Sequence, residues 1–490
     1  MNNPTRAPLW NEYQAPHADL RELLARVAHA GELVRVSGAD WKLEMGTLAE
    51  IIYHAHSANP PAILFEDIPG YPHGFRTLSG TTNSSKRLAL TLGLPVPANP
   101  LDVVRAYRDR MKQHRPIPPR YVERGPVLEH IDRDDAVDVL KFPAPLLHER
   151  DGGRYLGTDD LVIQRDPDDG WVNLGTYRSM VHSRNQVGLW MSPGKHGRQI
   201  REKYFRDRKP CPVLISCGHD PMLFLAGGNE IRFGLSEYDY AGGHRGLPFD
   251  VIASELHGLP MPASAEIVLE GEMHPGEALP EGPFGEFTGY YAGGHSAQPV
   301  VRVRRVYHRA EPILTIASPM QPPSDFSFSK CVMKAGMIWD EVERAGLAGV
   351  SGVWCHEAGA ARLFNVIAIK QAYAGHSKQA AMLAASCQSG AYLGRFVVVV
   401  DEDIDPTNLF EVLWAICTRC DPAEDIDFIR RAWSGPLDPR IARGTTTNSR
   451  ALIDACRPFH MLQDFPPVAR ATPELRAQVA AKFARVLESL

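Results

Sequence analysis

The sequence predicts an α/β (more strictly α+β) protein of several domains, on three observations. At 490 residues the chain is too long for one compact core and should form two or three domains. Strand-like and helical segments alternate towards both ends of the chain. The middle instead carries short alternating runs separated by Gly, Pro and Asp, which is typical of a mostly antiparallel sheet or barrel.

The first predicted domain is an α/β domain over residues 1–126. It opens with the amphipathic helix LRELLARVAHAGEL, in which every third or fourth residue is apolar. The strand PAILFED and the helix SSKRLALTLGL follow, and alternation of this kind predicts an α/β unit. The proline-rich connector IPPRYVERGP marks the end of the domain.

The second and third domains are predicted over residues 127–312 and 313–465. The second contains the alternating runs LVIQRD, PVLISC, AEIVLEGEM and PVVRVRRVY. In the third, FVVVV is an unbroken apolar strand of the kind that is covered on both faces of a sheet. We expect Asp405 to cap the next helix, with Pro406 at its first position.

A terminal helix is predicted over residues 466–490. It packs on another subunit or on its own domain, and both alternatives stay open. Its apolar stripe consists of Leu475, Val479, Phe483, Val486 and Leu490.

Composition and charge exclude several classes of protein. Lys and Arg number 53 against 58 Asp and Glu, a net charge of -5 that argues against a nucleic-acid partner. No run approaches ~18 apolar residues, and MNNPTRAPLWNEYQ lacks a signal-peptide pattern, so we expect a cytoplasmic protein with no membrane partner. The eight cysteines have no framework spacing, which predicts reduced thiols. Cys417 and Cys420 form a CxxC pair, read as helix residues with a metal or redox role as the alternative.

Common catalytic signatures are missing from the sequence. It contains no GxxxxGK[ST] loop, no GxGxxG opening a helix, no HExxH and no GxSxG. Their absence weakens ATP-driven, dinucleotide-driven and ordinary hydrolase functions.

The segment EGPFGEFTGYY carries the first candidate site. Glu281 and Glu286 flank a Gly-Pro-Phe-Gly turn that can direct both carboxylates into one cavity. Two acids held close together repel, so one can stay neutral at pH 7 and act as a proton donor. The alternative is an ordinary solvated pair of glutamates.

Two further clusters are candidate ligand sites. Asn173, His196 and Glu237 can complete part of the shell of Mg²⁺ or Mn²⁺ together with phosphate oxygens, although a loop histidine and a surface acid are the plain alternative. A turn that opens a helix can hold a phosphate or be merely solvated. That turn contains Lys370, His376, Ser377 and Lys378.

Three long segments resemble the UbiD family, decarboxylases that use prenylated flavin mononucleotide (FMN). PAILFEDIPGYPHGFRTLSG resembles the N-terminal domain of the family, EIVLEGEMHPGEALPEGPFGEFTGYY its central barrel, and VVVVDEDIDPTNLFEVLWAICTRCDPAED its C-terminal domain. The resemblance implies a central split β-barrel domain that binds the flavin and a C-terminal domain used in oligomerisation, as a homodimer or homohexamer. It also implies a flavin prenyltransferase that supplies the finished cofactor.

The resemblance assigns roles to particular residues. It implies Mn²⁺ on Asn173, His196 and Glu237, with K⁺ beside it on backbone carbonyls near Ala226 and Gly227. The Arg, Glu and Glu network of the family falls on Arg178, Glu281 and Glu286, with Glu286 as the proton donor. The implied cofactor-binding residues are Asn173, Gly175, Thr176, Tyr177, Arg178, Lys195, His196, Gly227, Gly228, Glu237 and Lys378.

The implied activity is reversible, non-oxidative decarboxylation of an aromatic, heteroaromatic or α,β-unsaturated carboxylic acid. Lys195 stands where ferulate-type members carry glutamine, so an aromatic diacid or an aryl-CoA thioester is an alternative substrate. A flavin reductase is the alternative enzyme class, since the central barrel resembles that superfamily, and a non-catalytic metal-binding scaffold is a third alternative.

Overall fold

The computed structural model describes residues 16–95, 99–229, 231–325, 327–442 and 444–487. In these residues 21 strands and 13 α-helices form four sheets with their covering helices. The predicted multidomain α/β class is therefore confirmed. None of the helices in the described ranges is both long and apolar enough to span a membrane.

The elements follow one another in three runs along the chain. The first run contains α1 (Leu20–His29), β1 (Leu33–Ser37), α2 (Glu44–Ala55), β2 (Ala62–Glu66), β3 (Arg76–Ser79), α3 (Ser85–Leu92) and α4 (Pro100–Lys112). The second contains β4 (Arg120–Tyr121), β5 (His130–Arg133), β6 (Tyr155–Gly157), β7 (Asp160–Arg165), β8 (Val172–Gly175), β9 (Arg178–Ser183), β10 (Gln186–Trp190), α5 (His196–Arg206), β11 (Cys211–Cys217), α6 (Pro221–Gly227), α7 (Glu237–Arg245), β12 (Asp250–Ala253), β13 (Pro260–Pro262), β14 (Ile267–Glu281) and β15 (Ser296–His308). The third contains β16 (Ile313–Ile316), α8 (Ser327–Arg344), β17 (Val350–Cys355), β18 (Phe364–Ile369), α9 (His376–Ser386), α10 (Gln388–Ala391), β19 (Phe396–Asp401), α11 (Leu409–Arg419), β20 (Ile426–Trp433), β21 (Thr447–Ala455), α12 (Pro473–Lys482) and α13 (Ala484–Leu487).

The N-terminal sheet has the order β1-β2-β3-β16. Helix α1 begins at the predicted segment, with Asp19 as its N-cap accepting a hydrogen bond from the backbone N–H of Glu22. Its four buried residues are spaced as an amphipathic face requires, and they pack against β2 and β3.

Strand β16 joins this first sheet although the sequence pattern predicts it at the start of the third domain. Its backbone pairs in parallel with β3, from Ile313 opposite Arg76 to Ile316 opposite Ser79. The chain therefore returns to the N-terminal sheet after it has completed the barrel. The domain boundaries themselves stay predictions.

The central sheet is antiparallel, as the alternating runs predict. Its order is β6-β9-β10-β15-β14-β11-β7-β8, with β5 paired to β15, and it curves into a half-barrel. The long hairpin of β14 and β15 brings Glu281 opposite Ser296 at the end where the two strands are connected. The connection over residues 282–295 extends from that end and carries Glu286.

The C-terminal sheet has the order β17-β18-β19-β21-β20. Strand β19 is parallel to both of its neighbours, and its residues 397–400 are fully buried, as the apolar run predicts. The predicted cap of the next helix is wrong. Asn408 caps α11 by accepting from the N–H groups of Phe410 and Glu411, whereas Asp405 accepts from Thr407 within the preceding turn.

The predicted terminal helix is present as α12 and α13, and its apolar stripe is exposed in the single chain. The side chains of Leu475, Val479, Phe483 and Val486 all contact solvent over about half of their surface. Leu490 lies outside the described residues. Packing on its own domain, one of the two alternatives, is therefore not observed along α12.

Candidate active site

A cavity of about 1340 Å³ lies between the half-barrel and the C-terminal region. Strand β8 and the turn after it form one wall, and helices α5, α6 and α7 contribute their ends. The connection after β14 and the segment between β20 and β21 form the opposite rim. Most lining residues fall in the ranges 173–178, 192–196, 227–229, 231–233, 290–296, 433–439 and 444–446, and the others are Trp190, Glu237, Met337, Glu341, Gln388, Tyr392, Ile441 and Ala442.

Arg178 lies in the cavity wall and holds both predicted glutamates. Its Nε lies 2.7 Å from Glu281 Oε1 and its Nη2 donates to Glu281 Oε2 at 2.8 Å, so this pair is bidentate. The Nη1 group donates to Glu286 Oε1. Three side chains from β9, the end of β14 and the following turn therefore form one buried charge cluster.

The Gly-Pro-Phe-Gly turn alone suggests that both carboxylates lie side by side in the cavity. The structure instead places them on different nitrogens of the Arg178 guanidinium. Glu281 is fully buried behind the guanidinium, where it also accepts a hydrogen bond from the Tyr155 hydroxyl at 3.0 Å. Glu286 is 6% exposed, and its Oε1 lies 4.0 Å from the position of a Cβ built on Gly293, which lines the cavity. Arg178 is the member of the cluster that lines the cavity, and Glu286 lies next to the lining.

Burial raises the pKa of Glu286 to about 7. The Arg178 guanidinium opposes this shift, and the neighbouring Glu281 carboxylate adds to it. The pKa of Arg178 is itself above its ordinary value, because the two carboxylates outweigh the cost of its burial. Glu286 can therefore carry or release a proton near neutral pH.

Aromatic rings fix the plane of the guanidinium. The Cζ atom of Arg178 lies 4.5 Å from the centre of the Trp190 ring and 5.3 Å from that of Phe284. The turn that carries Phe284 requires Gly282, whose φ is +83° and whose Cβ position lies 2.8 Å from the Gly294 carbonyl oxygen.

The predicted metal ligands line the same cavity. Asn173 lies in β8, and His196 and Glu237 are the first residues of α5 and α7. The backbone N–H of Leu174 donates to Glu237 Oε2 at 2.7 Å. Burial lowers the pKa of His196, and the nearby Lys195 ammonium lowers it further, so the imidazole is in the neutral form that binds metals.

These residues fit a cation and a phosphate. Asn173 is buried with its Nδ2 atom unpartnered, and the carboxyl of Glu237 is buried with burial raising its pKa to about 8. An unpartnered buried amide and a buried carboxyl of raised pKa are both expected where polar groups are arranged to meet a charged ligand. Within the described ranges no three His, Cys, Asp or Glu residues form a metal site; the predicted set has two such residues and an amide.

The remaining predicted cofactor residues divide into two groups. Gly175, Thr176, Tyr177, Gly227 and Gly228 line the cavity, and the Thr176 N–H donates to the Gly227 carbonyl at 3.3 Å. The Ala226 carbonyl, predicted as a K⁺ ligand, accepts from the Asn229 N–H at 3.1 Å. Lys195 is exposed at the cavity mouth, where it precedes α5.

Lys378 does not reach the cavity. Its ammonium pairs with Asp427 of β20, and the neighbouring Ser377 hydroxyl donates to Asp454 of β21. The third cluster of the sequence therefore faces the edge of the C-terminal sheet, because the first turn of α9 packs there.

Sequence reasoning missed part of the cavity wall. Trp190 and the residues 433–439, 441–442 and 444–446 line it, yet none carries a recognised motif, and Tyr290 and Tyr291 line it from the end of the segment EGPFGEFTGYY. The glycines and prolines of SGPLDPRIARG indicate a loop, and loops between scaffold strands commonly form binding sites.

Family models match most of the chain. The model described as the 3-octaprenyl-4-hydroxybenzoate carboxy-lyase Rift-related domain matches residues 120–322, and the N-terminal and C-terminal domain models match residues 24–107 and 328–455. The chain belongs to the UbiD family of carboxy-lyases. Its UbiD core model covers all three members of the Arg178 cluster and the three predicted metal ligands.

Curated relatives of this UbiD chain are decarboxylases. The pyrrole-2-carboxylic acid decarboxylase of Pseudomonas aeruginosa is 35% identical over 83% of this chain and 84% of the relative. The phenolic acid decarboxylase of Bacillus subtilis is 31% identical over 90% of this chain and 93% of the relative.

Solved UbiD-class structures share the fold. The Sedimentibacter hydroxybenzoicus vanillic acid decarboxylase in open form has a TM-score of 0.83 at 28% identity, covering 96% of this chain and 99% of that one. The UbiD-class enzyme HmfF from Pelotomaculum thermopropionicum in complex with FMN also has a TM-score of 0.83, at 29% identity, covering 95% of this chain and 100% of that one.

Proposed function

We propose that the protein catalyses reversible, non-oxidative decarboxylation of an aromatic, heteroaromatic or α,β-unsaturated carboxylic acid with bound prenylated FMN. The observation that carries the proposal is the buried cluster of Arg178, Glu281 and Glu286, whose arginine lies in the wall of a large cavity. The substrates named for two relatives, pyrrole-2-carboxylic acid and phenolic acids, favour an aryl or heteroaryl monoacid. A nicotinamide-dependent flavin reductase has no need for this cluster.

When bound, prenylated FMN supplies an electrophilic ring that takes up the negative charge left on the substrate carbon as CO₂ departs. The protein supplies position and a proton. Arg178 orients the substrate carboxylate with the guanidinium N–H groups that Glu281 and Glu286 do not engage. Glu286, protonated near neutral pH, then delivers its proton to the carbon that has lost CO₂.

The experiment is CO₂ release from a panel of aryl, heteroaryl and alkenoic monoacids, aromatic diacids and aryl thioesters. Protein made together with a flavin prenyltransferase is compared with protein reconstituted with ordinary FMN. We expect turnover of an aryl or heteroaryl monoacid by the first preparation only. Equal turnover with FMN, or no CO₂ from the whole panel, would contradict the proposal.

We further propose that Asn173, His196 and Glu237 hold Mn²⁺ against the cofactor phosphate, with K⁺ on carbonyls near Ala226 and Gly227. Supporting this, the unpartnered Asn173 amide, the buried Glu237 carboxyl and the neutral His196 ring line one cavity. We assign Lys378 no part in cofactor binding within a single chain, because its ammonium is paired with Asp427.

Glu237→Ala is expected to lower bound metal and bound flavin together, each at least tenfold, because both are proposed to share one phosphate-bridged site. The measurement is elemental analysis and flavin absorbance of the purified protein. The matched control is Glu202→Gln, which removes an exposed carboxylate from helix α5 outside the cavity wall. Full flavin occupancy in a metal-free Glu237→Ala protein would contradict the shared site.

Lys195→Gln tests the choice between monoacid and diacid. Lys195 is exposed at the cavity mouth, where screening limits an ion pair, so the variant should raise KM for a diacid about two- to fivefold and leave the matched monoacid unchanged. Lys209→Gln, an exposed lysine outside the cavity, is the control. Equal effects on both acids would show that Lys195 does not select the substrate.

We also propose a cytoplasmic homo-oligomer, a homodimer or homohexamer, that receives its cofactor from a flavin prenyltransferase. The exposed stripe of α12 and the exposed Phe410 and Phe428 of the C-terminal region support self-association. All eight cysteines are free thiols, which suits a reducing compartment.

A further inference from the structure

Asp151 lies beneath the turn that carries Glu286. It belongs to the loop before β6, and its two carboxyl oxygens accept hydrogen bonds from different backbone groups. Oδ1 accepts from the N–H of Gly285 at 3.0 Å, and Oδ2 accepts from the N–H of His148 at 3.1 Å. Gly285 is the residue immediately before Glu286, so Asp151 holds the peptide unit next to the proposed proton donor.

The two loops also touch directly through their backbones. The N–H of Gly152 donates to the carbonyl of Pro283 at 2.7 Å. A Cβ on Gly152 would lie 2.1 Å from the Gly282 carbonyl oxygen, and one on Gly285 would lie 2.8 Å from Cδ2 of His148. Neither loop can shift without the other, and Asp151 is the charged side chain within this contact.

Asp151 also lies beside the other flank of the turn. The side chain of Tyr291, which lines the cavity, lies near the Asp151 carboxylate, whose charge adds to the burial that raises the pKa of Tyr291 to about 12. The neighbouring Tyr290 accepts from the N–H of Glu286 at 3.0 Å. Asp151 therefore bonds the residue before Glu286, Gly285, and lies beside Tyr291, which follows Glu286 in the chain.

We propose that Asp151 is a positioning residue for Glu286: it holds the turn that carries this carboxyl and places a second negative charge behind it. The assignment rests on the proposed function, in which Glu286 donates the proton. A general acid must meet its carbon at a fixed distance in each turnover, and this acid lies in a connection between strands rather than on a strand.

The charges around Glu286 are consistent with this role. Burial raises its pKa to about 7, Arg178 opposes the shift, and the Glu281 and Asp151 carboxylates add to it. Asp151 in turn faces His148, Tyr155 and Tyr291. Burial raises the pKa of Asp151 as well, while the His148 imidazole and the hydrogen bonds from the Gly285 and His148 N–H groups oppose that shift.

The test is Asp151→Asn, which keeps the size of the side chain and removes its charge. The protonation of Glu286 is followed through its carboxyl infrared band, as the difference between each protein and its Glu286→Gln counterpart across a pH series. Without the Asp151 charge, the pKa of Glu286 should fall, so we expect the midpoint to move down by about 0.5 pH unit or more. The matched control is Glu149→Gln, an exposed carboxylate two residues away, which should leave the midpoint unchanged.

Activity gives a second readout. The alkaline limb of the kcat profile should move down with the infrared midpoint in Asp151→Asn and not in Glu149→Gln. An unchanged midpoint would overturn the proposal, and Asp151→Ser replaces the amide variant if that variant does not fold. The infrared titration needs no turnover. If the protein releases no CO₂, the proposed function is refuted, but the infrared midpoint still tests whether Asp151 acts on Glu286.

Discussion

Glu286→Gln is expected to lower turnover at least a hundredfold while the fold and the bound flavin are retained. The amide has nearly the size of the carboxyl and can still accept the hydrogen bond from Arg178 Nη1. It has no acidic proton to deliver, and a positioned general acid contributes roughly a hundredfold to ten-thousandfold. The measurement is CO₂ release and solvent-deuterium incorporation into the product, with flavin absorbance recorded on the same sample.

The pH dependence of the parent follows from the same group. Glu286 must be protonated to act, and burial raises its pKa to about 7, so the rate should fall as pH rises through about 7. Glu286→Gln should lack this limb. The matched control is Glu277→Gln on β14, whose carboxylate pairs with Arg302 at the surface and should not affect turnover. Deuterium incorporation by Glu286→Gln at the parent rate would show that another group donates the proton.

Local patterns predict the elements of this fold well. The apolar spacing of α1 and the unbroken apolar run of β19 each identify a buried face, because the apolar side chains of an element are the ones that it packs into the core. The cap of α11 is harder to predict. Asp405 and Asn408 are both suitable residues, and only the backbone shows that Asp405 closes the turn instead.

Long-range pairing cannot be derived from such patterns. Strand β16 returns to β3 across more than two hundred residues, and no local signal in its four residues specifies that partner. Arg178 lies more than a hundred residues from Glu281 and Glu286, and it meets them because β9 and the end of β14 converge on one cavity. The family resemblance, rather than spacing, predicts this cluster.

The resemblance also has a limit that the structure makes visible. It carries Lys378 into the cofactor site, whereas a lysine near an exposed sheet edge pairs with whichever carboxylate is nearest, here Asp427. Asp151, conversely, belongs to no motif. Its importance comes from two loops that meet only in the folded chain.

Both the activity and the stability of the protein are expected to depend on the Arg178 side chain. Arg178→Ala should abolish CO₂ release, because the substrate carboxylate loses its cation and Glu286 loses its anchor. It also leaves two buried carboxylates without a cation, and breaking a buried ion pair in this way costs about 3–5 kcal/mol. We therefore expect a folded protein of clearly lower melting temperature at neutral pH.

The sign of the pH effect distinguishes this loss of charge pairing from a simple loss of packing. Without Arg178 the Glu286 carboxyl loses the cation that opposes its raised pKa, and a group with a raised pKa in the folded state loses its stabilising effect as pH rises. The melting deficit of Arg178→Ala should thus be larger at pH 8 than at pH 5. Adding Glu281→Gln to Arg178→Ala should restore part of the stability and none of the activity. A deficit that is equal at both pH values, and unchanged in the double variant, would show that packing against Trp190 and Phe284, rather than charge, is what Arg178 contributes to the fold.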